Sequence, residues 1–270
     1  MIIDKKFLTP KAYFRKVRGL LAKLAFSFNF PLSVTTKVDN FKIRFVTTSY
    51  TEYHLRARES YRREEVTMYW LREIIGSDDE TIYDVGANVG AYSLYAGQKI
   101  RGGKGQVYAF EPAFSNFYPL CRNIEVNYLN EIVTPYPIAF GSSRHESRLF
   151  LRSTNTGKAL HGLSKSESEG NQFDPAFVQG ISVLSIDSFV GNVDVRFPNH
   201  IKIDVDGTEL AIVEGMTSVL DDDRLKSLMI EIDFNLNGIE VEKIIAKYRM
   251  KEIMSERMSK QTFNKLYVRQ

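Results

Sequence analysis

Ile82-Tyr83-Asp84-Val85-Gly86-Ala87-Asn88-Val89-Gly90 decides the fold. A short apolar run ends in an acid and a glycine turn, and a helical pattern then runs from about Tyr92 to Ile100. That order is a buried strand, a tight turn and a helix, the opening unit of a parallel sheet. The unit repeats downstream. Val107–Phe110 reads as a second strand, Asn116–Asn127 as a helix and Val133–Ala139 as a third strand. Ile201–Val205 and Leu228–Ile232 are two more strands, separated by a helix over roughly Leu210–Leu220. A last helix near Val241–Tyr248 precedes two strand-like runs, Lys251–Met254 and Leu266–Val268, joined by the polar segment Ser255–Gln261. The expected fold class is α/β: a doubly wound, mainly parallel sheet with a C-terminal antiparallel hairpin.

Ligands of open α/β sheets bind beyond the C-terminal ends of the strands. The residues that end each strand are therefore the candidates. Gly86 and Gly90 let the first loop turn tightly and bring its backbone against a ligand. The loop is neither a G-x-x-x-x-G-K-[ST] phosphate loop nor G-x-G-x-x-G, because position 88 is Asn and no glycine falls at 91. Asp84 repels a pyrophosphate and suits a ligand carrying an ammonium group. The second strand ends Tyr108-Ala109-Phe110-Glu111-Pro112, which places Glu111 25 residues beyond Gly86. An acid there accepts both hydroxyls of a ribose, and Pro112 stops the strand behind it.

The fourth strand runs Ile201-Lys202-Ile203-Asp204-Val205-Asp206-Gly207-Thr208-Glu209-Leu210, and the fifth ends Ile230-Glu231-Ile232-Asp233. Asp206 and Asp233 read as caps or solvated strand ends. Asp204 and Glu209 flank the turn at Gly207 and read as functional.

The first, second and fourth strand segments, with Asn123-Ile124-Glu125-Val126-Asn127, are four motifs that resemble the FkbM family of S-adenosylmethionine (SAM)-dependent methyltransferases over roughly residues 80–235. The resemblance implies a class I, Rossmann-like methyltransferase fold. It also implies O-methylation with SAM as cofactor and S-adenosylhomocysteine (SAH) as product. The cofactor is expected over the loop from Asp84 to Gly90, with Asp84, Gly86, Ala87, Asn88, Gly90, Glu111 and Pro112 as the binding set. Two departures stand out. The family generally has Glu where this chain has Asp206, and Ala139-Phe140-Gly141-Ser142 lacks the acid that often follows that glycine.

Methyl transfer to oxygen needs the nucleophile held in line with the methyl carbon, and it gains from a base near the hydroxyl proton. Asp204, Glu209 and Glu231 are the candidates for that base, with Lys202 as an orienting cation. The four histidines, His54, His145, His161 and His200, show no paired ligand spacing. His161 is the first to consider as an exception, since it lies in a segment able to close over the site. Asp204, Glu231 and Asp233 are the acids that a divalent metal would use, but no firm ligand pattern supports one.

The chain has 36 Lys/Arg against 33 Asp/Glu, so its overall charge does not point to nucleic acid. No Asn/Asp-Pro-Pro-aromatic motif for a flipped base is present. The acceptor is expected to be a small molecule or glycan rather than nucleic acid; a nucleic-acid methyltransferase and a non-catalytic SAM-binding scaffold are the alternatives. The single cysteine, Cys121, fits a reducing, cytoplasmic setting. Residues 1–30 hold seven Lys/Arg against one Asp, interleaved with Phe14, Val17, Leu20, Leu21, Leu24 and Phe26. The spacing predicts a basic amphipathic helix over residues 11–26. Its apolar face is expected to pack on the domain or on a second subunit, with peripheral membrane contact as the other outcome. Residues 1–60 read as an extension of helix and strand (Phe41–Val46), and 61–270 as the methyltransferase domain. A helix over roughly Tyr61–Ile75, with Val66, Tyr69, Trp70 and Ile74 on one face and Gly76 closing it, joins them. The polar segment 152–180 reads as a long loop.

Overall fold

In the computed structural model, which describes residues 10–159, 161–168, 171–192 and 194–270, the chain opens with helix α1 (Pro10–Ser27) and the hairpin β1 (Leu32–Val38) and β2 (Phe41–Thr47). A helical arm follows: a π-helical turn (Glu52–Glu59), α2 (Ser60–Arg63), α3 (Glu65–Tyr69) and a second π-helical turn (Trp70–Ile74). Next come β3 (Thr81–Val85), α4 (Ala91–Lys99), β4 (Gln106–Phe110), α5 (Phe114–Val126) and β5 (Val133–Tyr136). Then come β6 (Ala139–Phe140), β7 (His145–Leu151), β8 (Gly162–Leu163), β9 (Glu167–Ser168), β10 (Asn171–Gln172), β11 (Phe177–Leu184) and α6 (Ile186–Val190). The chain ends with β12 (His200–Ile203), α7 (Glu209–Glu214), α8 (Thr217–Asp221), β13 (Ser227–Asp233), α9 (Gly238–Ile245), β14 (Met250–Arg257) and β15 (Thr262–Arg269).

The central sheet has the order β14-β15-β13-β12-β3-β4-β5. Five strands are parallel, and β15 runs antiparallel between β13 and β14. The expected doubly wound sheet and its hairpin are both present. Strand order reverses between β3 and β12, which makes their C-terminal ends the switch point where a ligand crevice opens.

The period of two along each strand sorts its side chains between two cores. Tyr83, Val85, Tyr108, Phe110, Ile201, Ile203, Leu228, Ile230 and Ile232 face α6 to α9. Ile82, Val107, Ala109 and Met229 face α4, α5 and the helical arm. Val34, Val38, Ile43 and Phe45 of the hairpin join this second cluster, so the N-terminal extension shares a core with the sheet. Asn123 and Asn127 of α5 fasten it there, accepting the backbone N–H groups of Val46 and Arg44 at 2.9 Å each.

Several expectations need correction. The arm is not one helix from Tyr61 to Ile75. Glu64 breaks it at φ −115°, ψ 88°, and the π-turn beyond spaces the buried residues Val66, Trp70, Leu71 and Ile75 more widely than an α-helix does. Tyr69, expected inside, is 38% exposed. Val133–Ala139 is not one strand: β5 stops at Tyr136, and Ala139 belongs to another sheet. The segment 152–180 is not a single loop, because β8 to β10 and the start of β11 lie in it. β6-β11-β7-β8 form a four-stranded sheet, closed inside by Leu149, Leu151, Ile181 and Val183. Helix α1 forms as expected, but Leu20, Leu21 and Leu24 are 70%, 59% and 56% exposed. Among its described residues Ala22 and, in part, Phe26 join the core of the body. The side chain of Phe14 lies outside the described residues.

Gly86 fixes the crevice. It sits at φ +84°, and a Cβ there would lie 1.9 Å from the carbonyl oxygen of Asp204. Gly102, at φ +104°, has nothing within 4 Å of a Cβ. Gly102→Ala is expected to cost about 1 kcal/mol through backbone strain alone, and Gly86→Ala on the order of 3 kcal/mol or more through strain plus overlap. Denaturant titration of the two variants checks this, and equal losses would contradict it.

Candidate active site

Alternation buries Ile201 and Ile203 on one face of β12 and so turns Lys202 to the other, where the register sets it beside Asp84 of β3. Lys202 is 1% exposed. A buried ammonium must be paired. Its Nζ donates to Asp204 Oδ2 at 2.8 Å, lies 3.8 Å from Asp84 Oδ1 and sits 5.2 Å from the ring centre of Tyr92. Burial works to lower its pKa, but Asp204, Asp84 and Glu64 outweigh that and hold the ammonium charged. The helix break at Glu64 brings in the third acid, to which Thr67 Oγ1 donates at 2.9 Å.

The acids around this cation outnumber it, and burial raises most of them. Asp84 is pushed up by burial. Its Oδ2 accepts from Ser93 Oγ at 2.5 Å. Burial, with Asp206 and Asp204 adding, raises Glu209 to about 8. Burial, then the charges of Asp204 and Glu209, raises Glu231 to about 9. Near neutral pH the cluster therefore holds protons as well as negative charge.

On the other side of Asp204 lies the crevice. Val85, Gly86, Asn88, Phe110, Glu111, Pro112, Ile138, Phe140, Val205, Asp206 and Ile212 line it together with Asp204. Asp204 is thus the carboxylate common to the crevice and the Lys202 cluster. Glu111 accepts Asn88 N–H at 2.8 Å through one oxygen and Ala113 N–H at 2.9 Å through the other. Burial still lifts its pKa to about 7.

Every amide of the glycine loop is engaged within the chain. Gly86 and Ala87 N–H both donate to Phe110 O, Asn88 N–H to Glu111, Val89 N–H to Asn88 Oδ1 and Gly90 N–H to Ala87 O. A pyrophosphate needs such donors, and this loop has none to give it. A nucleoside without phosphate, held by a carboxylate and apolar walls, fits. Those are the features an adenosyl group and its ribose require.

A roof crosses the crevice. Gly157 N–H donates to Asn116 Oδ1 at 2.8 Å, and the Asn116 and Asn88 amides both donate to Lys158 O, at 2.9 and 3.0 Å. Arg56 Nε donates to Gly157 O at 2.9 Å, and Thr156 is bound to Glu52. His161 N–H donates to Asp206 Oδ2 at 2.9 Å. Its ring is buried with neither nitrogen hydrogen-bonded; burial, then Arg152, lowers it to about 4, so it is neutral at pH 7. The space below is about 110 Å³, against roughly 300 Å³ at the low end for ligand pockets. A cofactor needs more room than the closed roof leaves.

Among the expected residues, Gly86, Asn88, Glu111, Pro112 and Asp204 come together at the crevice. Asp84, Ala87 and Gly90 lie outside its wall. Asp84 points under the loop to Ser93 and Lys202, and at Gly90 a Cβ would meet Leu120 at 2.6 Å. Asp206, read as a cap, instead lines the crevice and holds the His161 backbone. Arg56, Glu64 and Asn116 were not anticipated. The first two sit in the arm outside any motif, and Asn116 was read only as the start of a helix. Asp233 accepts Asn235 N–H in a turn. Among the described residues no three His, Cys, Asp or Glu side chains are arranged to hold a metal ion.

A family model described as the methyltransferase FkbM domain matches residues 84–258. The chain is 26% identical over 214 residues to the hexuronic acid methyltransferase AglP of Haloferax volcanii, covering 79% of this chain and 80% of that protein. It is 26% identical over 155 residues to Methyltransferase 1 of Beauveria bassiana, covering 52% of this chain and 59% of that one. The crystal structure of a methyltransferase FkbM from Methylobacillus flagellatus superposes with a TM-score of 0.52 at 17% identity, covering 94% of this chain and 60% of that chain. That last likeness concerns the fold.

If the roof gates entry, Asn116→Ala, which removes the bonds to Gly157 and Lys158, speeds SAH association by about tenfold. Stopped-flow mixing reads the rate, and an unchanged rate would show that the roof is not the gate.

Proposed function

With the chain a member of the FkbM family of SAM-dependent methyltransferases, we propose that it methylates a hydroxyl of a sugar or glycan, with Asp204 accepting the hydroxyl proton. The observation that carries this is the position of Asp204, which faces the crevice on one side and is held at 2.8 Å by Lys202 on the other. Gly86, Asn88 and Glu111 would hold SAM, which would supply a methyl group on a sulfonium.

The chain's own residues then have three tasks. Lys202 fixes the Asp204 carboxylate, so little reorientation is needed when the hydroxyl arrives. Asp204 takes the proton as the oxygen attacks. Asp206 and the neutral His161 close the crevice beside them and exclude water. Glu209 and Glu231 set the charge behind Asp204: as they lose protons, the negative charge that draws the hydroxyl proton out of the crevice grows.

A sugar is favoured over nucleic acid because Asp204 and Asp206, the carboxylates on the crevice wall at the switch point, repel a phosphodiester. Arg56 and Lys158 on the crevice wall offer positive charge to a uronic acid. The relative named as a hexuronic acid methyltransferase supports testing such sugars first. No described helix is long and apolar enough to cross a membrane. We assign α1, with its exposed leucines, to a surface contact, either with a bilayer or with a second copy.

Purified protein incubated with SAM and a panel of hexoses, hexuronic acids and short RNAs tests the acceptor through SAH release. Turnover on a sugar supports the reading, and turnover confined to RNA overturns it. With an acceptor in hand, Asp204→Asn lowers kcat by about 10²–10⁴ and leaves SAH affinity unchanged by calorimetry. Full turnover in that variant would remove Asp204 from the role. The base acts only when deprotonated, and its neighbours Glu209 and Glu231 titrate at about 8 and about 9. Activity therefore rises with pH across that range and levels off above it, and a kcat profile that falls there would contradict the assignment.

A further inference from the structure

A second concavity, about 1380 Å³, lies between α1, β1 and the π-helical turn Glu52–Glu59. Lys16, Arg18 and Lys23 of α1, Lys37 of β1, and Arg58, Arg62 and Arg63 of the arm line it, against one acid, Glu59. Arg58 stacks on Tyr53, 4.3 Å from its ring centre, and Lys23 on Tyr50 at 4.7 Å. Two buried polar atoms in this wall, Arg58 Nε and His54 Nδ1, have no hydrogen-bond partner. An anion able to accept several hydrogen bonds matches the charge of this wall.

The outer side of the same helix is apolar. Val17, Leu20, Leu21 and Leu24 fall at i, i+3, i+4 and i+7 and share one face. Leu20, Leu21 and Leu24 are more than half exposed, and so are Phe28 and Phe30 just beyond the helix, at 66% and 64%. At 100° per residue, Lys16 and Lys23 flank this arc on one side and Arg18 on the other. An apolar stripe bordered by cations is the pattern of a helix that lies in a membrane interface.

We propose that this face docks the enzyme on an anionic lipid bilayer. Helix α1 lies in the interface plane, its leucines and the two phenylalanines enter the acyl boundary, and headgroup phosphates occupy the basic groove. A second copy is the poorer occupant, because an isologous contact would set this excess of positive charge against itself. The inference rests on the surface contact assigned to α1 and is independent of the methyl acceptor.

Sedimentation of the full chain with vesicles tests it. The protein is expected to pellet with phosphatidylcholine vesicles containing phosphatidylglycerol, to stay in solution with phosphatidylcholine alone, and to be released by high salt. Leu21→Ser/Leu24→Ser is expected to abolish binding, and Lys37→Gln/Arg58→Gln to weaken it about tenfold or more. Both variants should keep the wild-type melting temperature and SAH affinity. Equal binding to neutral vesicles, or an unaffected leucine variant, overturns the proposal. So does a concentration-dependent dimer lost in the leucine variant, which assigns the face to a second copy. Binding of inorganic pyrophosphate with no binding to vesicles overturns it too, in favour of a soluble anion. Lost vesicle binding with SAH binding intact refutes the docking alone; lost SAH binding with docking intact refutes the methyltransferase reading alone.

Discussion

The buried ammonium of Lys202 is the constraint on which the site depends. A lysine at 1% exposure in the middle of a parallel sheet is tolerable only if carboxylates meet it inside. Asp84 comes from the adjacent strand, Asp204 from the end of its own strand and Glu64 from the broken helical arm. One cation therefore ties together the glycine loop, the switch point of the sheet and the arm. It also aims Asp204, the carboxylate that this cluster shares with the crevice.

The helical arm has a second attachment. Glu52 accepts from Thr48, Ser49 and Thr156, while Arg56 holds Gly157. The roof over the crevice is thus fastened to the segment whose outer surface, through His54 and Arg58, walls the basic groove. Cofactor crevice and outer surface share the π-helical turn as a common partition, about one helix diameter thick, on the order of 10 Å.

Much of this was legible because strands announce themselves by periodicity and because ligands gather at strand ends. Gly86, Glu111 and Asp204 follow from those two rules alone. The remainder depended on information that spacing does not carry. Lys202 reads equally as a snorkelling or a buried residue until the register sets Asp84 beside it. That Asp84 lies beneath the loop beside Ser93 and Lys202 depends on the pleat, which spacing alone does not place. Glu64 becomes a site residue only because the backbone breaks there. The second sheet is built partly from strands of two residues, too short for any periodic signal, and from β7 and β11, whose partners lie far apart in sequence. The leucines of α1 have the spacing of a packed face, but whether such a face meets protein, lipid or solvent is decided by its surroundings.

The central claim is that the crevice is built for a nucleoside without phosphate, since all five amides of the glycine loop are already bonded. Calorimetric titration of the purified protein with SAM, SAH and NAD tests it most directly. Saturable binding of both sulfur compounds and none of NAD is the expected result. Binding of NAD in their place, or no binding of SAM or SAH to folded protein, would contradict the account.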